Sequence, residues 1–203
     1  MNKLTTEERT QIVACLTEGN SIRSTCRMTG KSKGAVLKLL TDLGAACEAY
    51  QARTLRGLRC ADIQVDEIWA FVGCKQGHLP EDEASNRGDA YTFFALDRDT
   101  KLVPCFLTGQ RNSESAEAFM LDLASRLAPG CRPQLSSDGF DAYPGAVEAA
   151  FGADVDYGVV IKDYGVEDAG RGRYSPPRVL SVEKKIIAPA FREGREDRAS
   201  TWC

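Results

Sequence analysis

The stretch Ile63-Gln64-Val65-Asp66-Glu67-Ile68-Trp69-Ala70-Phe71-Val72 constrains this chain more than any other. Its β-branched and aromatic residues predict a strand, yet two acids stand in its middle. A carboxylate buried there without compensation costs several kcal/mol. A fold that accepts this strand must therefore supply a cation, either from a basic side chain or as a bound metal.

At 203 residues the chain can bury one good-sized core with a small additional domain. It has no run of about 18 apolar residues, so no transmembrane helix is expected. The start, Met1 to Glu8, lacks the apolar core of a signal peptide, so a cytoplasmic location is expected. Eight cysteines occur without any Cys-x-x-Cys pair, and His78 is the only histidine. That spacing argues against a structural zinc site. Without a secretory signal a disulfide framework is not expected either, and most of the cysteines read as small buried side chains.

The net charge of −3 conceals an asymmetry: residues 1–60 hold ten basic residues against five acids, and the remainder 16 against 24. A basic head on an acidic body suits a DNA-contacting module joined to something else. In the head, Thr5 or Thr6 can cap a helix carrying Ile12, Val13 and Leu16, which Gly19-Asn20 ends. Ser21 opens a second helix, Ile22 to Met28, ended by Thr29-Gly30. Ser32 caps a third with Val36, Leu37, Leu39, Leu40 and Leu43. Three helices with a tight glycine-containing turn between the second and third form the helix-turn-helix pattern. In that pattern Lys31, Ser32, Lys33 and Lys38 would face phosphates and base edges, with Arg23 and Arg27 on the supporting helix. A plain three-helix bundle with solvated lysines is the alternative. Glu48 to Arg59 reads as a helix extension or linker.

The body alternates elements. Ala90 to Leu96 and Lys101 to Leu107 follow the opening strand as an antiparallel meander, with Asp97-Arg98-Asp99-Thr100 as a turn. Pro104 predicts an edge position for the third strand, because it cannot donate to the ladder. Ser113 to Leu127 has helical periodicity, Pro133 to Ser137 is a short strand, Tyr143 to Phe151 a helix, and Tyr157 to Ile161 a strand. The order strand, strand, strand, helix, strand, helix, strand predicts an α/β fold with a helix-linked parallel portion.

Two acids stand out by position. Asp66 lies within the first strand and Asp138 at the carboxyl end of the fourth, where open α/β sheets collect ligands. If those strands are neighbours, the two carboxylates face one pocket and repel unless a divalent cation joins them; Mg²⁺ favours such hard-oxygen sites. Each acid also has a structural reading. Asp138-Gly139 is a common turn signal, and Asp66 could pair with a buried arginine. Glu67 could be salt-bridged or support the site from behind, and Trp69 is most simply core.

Several short motifs, in order, resemble one family. They are Gly19-Asn20-Ser21-Ile22-Arg23 with Met28-Thr29-Gly30, then Asp66-Glu67-Ile68-Trp69, then Ala95-Leu96-Asp97 with Thr100-Lys101-Leu102-Val103. Asp138-Gly139 with Tyr143, Phe151-Gly152-Ala153-Asp154 and Gly172-Arg173-Tyr174-Ser175-Pro176 complete the set. Over roughly residues 1–177 the chain resembles the insertion-sequence-one family of bacterial transposases, in the variety that joins a helix-turn-helix head to a catalytic body. The resemblance implies a ribonuclease-H-like mixed sheet behind an N-terminal all-α helix-turn-helix domain, and an Asp-Asp-Glu triad holding two Mg²⁺ or Mn²⁺ ions. One ion would activate the attacking water or 3′-hydroxyl and the other stabilise the leaving oxygen. Asp66 and Asp138 are then the first two catalytic, metal-binding acids. It further implies double-stranded DNA as partner (terminal repeats and target) and a homo-oligomer assembled on that DNA.

The family's third acid lies on a helix after the last strand, in a Glu-Arg-x-Asn type motif that does not occur here; the resemblance therefore implies a truncated chain. Glu167, Glu183, Glu193 and Glu196 follow the fifth strand, but none sits in an amphipathic helical pattern, and the surrounding glycines and prolines predict irregular chain. The expected organisation is a helix-turn-helix domain over 1–48, a linker over 49–60, an incomplete catalytic domain over 61–165 and an irregular tail over 166–203. The expected function is a DNA transposase, inactive or partial as it stands. The alternatives are a DNA-binding regulator of transposition and a ribonuclease-H-like nuclease.

Overall fold

A computed structural model describes residues 3–79, 87–165 and 178–187. The chain divides into two compact units at Thr54/Leu55. The first holds helices α1 (Thr6–Thr17), α2 (Ile22–Thr29) and α3 (Lys33–Thr54). Thr5 and Glu8 close a capping box on α1: the Thr5 hydroxyl accepts from Glu8 N–H at 3.2 Å, and the Glu8 carboxylate from Thr5 N–H at 2.9 Å. The Ser21 and Ser32 hydroxyls accept from Ser24 N–H and Ala35 N–H at the starts of α2 and α3. Gly30, at φ 67°, ends α2 in the left-handed conformation that only glycine adopts without strain. Ile12, Thr25 and Val36, one from each helix, are fully buried where the three meet.

Helix α3 runs unbroken to Thr54, so the expected boundary at residue 48 moves six residues on. Alanines 45, 46, 49 and 52, with no proline or β-branched residue between them, continue the helix where a linker was considered.

The second unit is a six-stranded mixed sheet in the order β3-β2-β1-β4-β5-β6. Its elements are β1 (Asp62–Val72), β2 (Gly88–Asp97), β3 (Phe106–Gly109), α4 (Ser113–Arg126), β4 (Gln134–Ser137), α5 (Tyr143–Phe151), β5 (Asp156–Gly165) and β6 (Arg178–Ile186). The first three strands form the expected antiparallel meander, and β4 and β5 run parallel to β1. Parallel neighbours need a crossover, which α4 and α5 supply. Strand β3 begins later than expected. Residues before it touch β2 through Ala95 N–H to the Cys105 carbonyl and Asp97 N–H to the Leu102 carbonyl, and Pro104 has no N–H to extend a regular ladder.

Alternation along the strands sorts residues to two faces. Ile63, Val65, Phe93, Ala95, Leu135, Tyr157 and Val159 pack with Ala116, Phe119, Met120 and Leu123 of α4 and Tyr143, Ala146 and Val147 of α5. Phe93 is the hub of this core, its ring lying 5.9 Å from Phe119 and 6.4 Å from both Phe140 and Tyr143. The opposite face, carrying Gln64, Asp66, Phe94, Leu96, Ser136, Val160 and Lys162, lines an open groove of about 860 Å³.

Three expectations are corrected. The tail is not irregular throughout: Arg178–Ile186 pairs antiparallel with β5, and the Ser181 hydroxyl donates to Asp163 at 2.6 Å. Val179, Val182 and Ile186 supply strand propensity, but the cluster Glu183-Lys184-Lys185 breaks the two-residue alternation that would have announced it. Trp69 is not core. Strand β4 covers β1 only at Asp62 to Gln64, so Ile68, Trp69, Phe71 and Val72 stand 44–58% exposed, with the Lys75 ammonium 5.1 Å above the Trp69 ring. Of the seven described cysteines only Cys60 and Cys105 are buried; burial pushes their thiols up to about 11 and about 12, so they remain protonated. Among the described residues no helix is long and apolar enough to cross a membrane.

Replacing Phe93 with alanine removes the ring that Phe119, Phe140 and Tyr143 all contact. The substitution is expected to destabilise the second unit by about 3–5 kcal/mol, read as a lowered midpoint in urea unfolding. A loss below about 1 kcal/mol would mean that the core repacks around the gap.

Candidate metal centre

The register of β1 and β4 builds the site. Gln64 stands opposite Ser136 in the parallel ladder, and two residues farther along each strand are Asp66 and Asp138. Both reach the level at which β4 ends. The Asp66 carboxylate accepts a 2.8 Å hydrogen bond from Glu67 N–H. Asp138 accepts from Phe140 N–H at 3.1 Å, so the turn expected at Asp138-Gly139 is real and also presents the carboxylate. Beneath it, the Ser137 hydroxyl donates to the Asp138 carbonyl at 2.9 Å and lies 2.7 Å from the Tyr157 hydroxyl. With the serine proton committed, Tyr157 is the donor of that second bond. Burial pushes the Tyr157 phenol up to about 12, which keeps its proton in place.

Glu67 joins them from the other side of the strand. Its side chain is only 5% exposed. One carboxylate oxygen from each of Asp66, Glu67 and Asp138 lies within 4.8 Å of the others. Glu67 Oε2 is 3.5 Å from Arg111 Nε, and Asp138 Oδ2 is 3.9 Å from Arg111 Nη2. The Arg111 guanidinium rests 3.9 Å above the centre of the Phe140 ring, which fixes its plane. Glu67 Oε1 and the facing Tyr143 hydroxyl are both buried and lack a hydrogen bond of regular geometry. They still couple electrostatically: burial, and then the Glu67 carboxylate, drive the Tyr143 phenol far above its ordinary value.

Burial is also the leading reason that the Asp66 and Glu67 carboxyls titrate above the usual range, with Asp138 adding repulsion. Asp66 as a residue is exposed, and it lines the open groove together with Arg111 and Lys162. For Asp66, Lys162 and Arg111 partly offset these effects.

The donor set fits a hard divalent cation. Opposed oxygens on one such ion lie roughly 4–5 Å apart, twice the ordinary metal–oxygen distance for Mg²⁺ to Ca²⁺, and the three oxygens here all lie within 4.8 Å of one another. Glu67 brings a carboxylate that is nearly removed from water into this set. Among the described residues this is the one grouping of side chains suited to a metal, and it includes no cysteine.

Asp66 and Asp138 are thus brought together as the strand order required. Glu67 was left without a role by sequence reasoning, and Arg111, Tyr143 and Lys162 were not candidates; no periodic or spacing signal marks them. Glu183 lies on β6 opposite Ile161, outside the cluster. Glu167, Glu193 and Glu196 lie outside the described residues. In the first unit, Arg23, Arg27, Ser32 and Lys33 are exposed on α2 and at the start of α3. Lys31 is ion-paired with Glu8, and Lys38 with Asp42 at 2.8 Å. Comparison with protein-family models and with curated proteins finds no match for the chain.

The raised carboxyls give a testable pH dependence. Asp66 and Glu67 bind protons more readily folded than unfolded, so stability falls as pH rises from the ordinary carboxylate value through the raised one. With divalent cations removed, Tm is expected to climb as pH is lowered from 7 toward 5, and Asp66→Asn should flatten that climb and raise Tm at pH 7. An unchanged slope in the variant would show that Asp66 is not strained by its surroundings.

Proposed function

We propose that the chain is a DNA transposase of the Asp-Asp-Glu type, with a ribonuclease-H-like body and a helix-turn-helix head. The observation that carries the reading is the convergence of Asp66, Glu67 and Asp138 at the end of β4, beside a groove also lined by Lys101, Arg111 and Lys162. The mixed sheet with β1 and β4 adjacent and parallel is compatible with the fold the family resemblance implies. Carboxylates repel a phosphodiester, so a site pairing them with a phosphate needs a cation between the two.

In this reading Asp66 and Asp138 hold Mg²⁺ or Mn²⁺. A divalent cation there supplies Lewis-acid polarisation of a phosphoryl oxygen and a more acidic attacking hydroxyl. Arg111 and Lys162, flanking the acids, contact the phosphate and offset the charge that develops on it. Phe94, Leu96 and Val160 form an apolar wall that limits water at the reacting phosphate. Tyr157 and Ser137 hold the end of β4 rigid, which keeps Asp138 at its distance from Asp66. In the head, Ser32 and Lys33 enter the major groove with α3, while Arg23 and Arg27 touch the backbone. Lys31 and Lys38 contribute less, because each must first give up an acidic partner.

Plasmid nicking is expected to require Mg²⁺ or Mn²⁺ and to fall about a hundredfold or more in Asp66→Asn and in Asp138→Asn, as loss of several kcal/mol of charge stabilisation dictates. Nicking that persists in excess chelator, or in Asp66→Asn, would remove the reading. The separate compactness of the three-helix unit favours a second reading, a DNA-binding regulator. Under that reading the protein binds duplex ends and does not nick in Mn²⁺.

Duplex binding by the full chain is expected to weaken linearly in log[salt], with Arg23→Ala and Lys33→Ala each reducing the slope by about one. A slope unaffected by either change would remove the head from the DNA interface.

A further inference from the structure

Glu67 is a buried acid with little compensation. Its side chain is almost wholly removed from water, its Oε1 lies by the Tyr143 hydroxyl without a hydrogen bond of regular geometry, and among the described residues its ion pair is a single 3.5 Å approach to an arginine that also faces Asp138. The other buried acid of the same strand behaves differently. Asp62 has Arg98 to itself at 3.1 Å, and its main-chain carbonyl accepts from Arg98 N–H at 2.8 Å. One arginine for one acid closes that pair. At the candidate centre, three carboxylates face one guanidinium, with Lys162 acting on Asp66 as well, which leaves negative charge in excess. A divalent cation supplies the charge that is missing.

Neighbouring residues on a strand point to opposite faces, so Asp66 and Glu67 should not meet. They do because β4 stops at Ser137. Past that point, among the described residues, no strand lies beside β1 on this side. The carboxylates approach Asp138 from the groove side and from the helix side, around the end of β4.

We propose that Glu67 is the third carboxylate ligand of the divalent-cation site, and that Arg111 is the counter-ion the cation displaces from it. The proposal rests on the metal reading of Asp66 and Asp138. It is also distinct from that reading, because it completes a three-acid site from β1 and the end of β4 alone. Glu67 contributes Oε2, the atom that faces Arg111 in the metal-free protein. Arg111, held at one edge by Phe140, turns its freed N–H groups toward the groove, where a substrate phosphate lies.

Mn²⁺ binding to the full-length protein tests this by calorimetry, by the loss of the free-ion paramagnetic resonance signal, and by the rise in Tm that a ligand of the folded state produces. Glu67→Gln keeps the size of the side chain and removes its charge. It is expected to weaken Mn²⁺ about tenfold or more and to abolish the Mn²⁺-induced Tm shift, as Asp66→Asn and Asp138→Asn do. Arg111→Gln separates a ligand from a mere ion-pair partner. If Glu67 is a ligand, Arg111→Gln binds Mn²⁺ as tightly as the unaltered protein or more tightly. If Glu67 only positions Arg111, both variants lose Mn²⁺ alike, and the proposal is overturned. Unchanged Mn²⁺ affinity in Glu67→Gln with loss in Asp66→Asn overturns the proposal and leaves the two-acid reading standing. No Mn²⁺ binding by the unaltered protein overturns both. Should Glu67→Gln fail to fold, Glu67→Asp retains the charge on a shorter arm, and unchanged Mn²⁺ affinity in it counts against direct ligation.

Discussion

Three residue pairs of parallel ladder, Asp62 with Gln134, Ile63 with Leu135 and Gln64 with Ser136, decide what the second unit can do. They bring together strands separated by a meander and a helix, and they fix which residues beyond the ladder stand side by side. A shift of one residue would turn Asp138 away from Asp66 and also move Leu135 out of the core. The hydrophobic pattern that buries Ile63, Val65 and Leu135 therefore sets the separation of the carboxylates. Core and site share one register, so substitutions that loosen the core are felt at the acids.

That dependence explains which parts were legible from sequence. Long periodic segments such as Ser113–Arg126 and Tyr143–Phe151 announced themselves, because burial of one helical face is written into their spacing. Asp66 and Asp138 were legible because their places, mid-strand and strand-end, mean something only if β1 and β4 adjoin. Glu67 was visible as a residue but not as a partner. Its role depends on β4 ending at Ser137, and element ends are the least regular feature of a sequence. Arg111 was hidden for a similar reason: it sits in the connection between β3 and α4, and only the stacking on Phe140 turns it toward the acids. Strand β6 was missed because an edge strand with charged residues need not alternate. The exposure of Trp69 was missed because strand length alone does not tell how much of a strand its neighbours cover.

Phe140 links the core to the acidic cluster. Its ring packs 5.3 Å from that of Tyr143, edge to face, and 6.4 Å from that of Phe93. It belongs to the core on one side and carries the Arg111 guanidinium on the other. Its N–H binds the Asp138 carboxylate. One residue thus orients the Asp138 carboxylate through its main chain and the Arg111 guanidinium through its side chain.

The electrostatics of the centre also bear on why β1 tolerates its acids. Three carboxylates near one another raise each other's free energy, and burial adds to this for Asp66 and Glu67. Arg111 offsets part of the cost from a distance at which its attraction is incomplete. A fold selected only for stability would replace Glu67 by an apolar residue, since a buried ion pair rarely outperforms good packing. An acid there, with one offset arginine beside it and a tyrosine hydroxyl opposite, leaves the site short of positive charge. The strain is localised where β1 leaves the cover of β4. The rest of β1 is conventional: Ile63 and Val65 in the core, Asp62 closed by Arg98, and Ile68 onward free of either layer. The strand is stable at its start, strained at its middle and uncovered at its end, and the strained middle is where a cation would be bound.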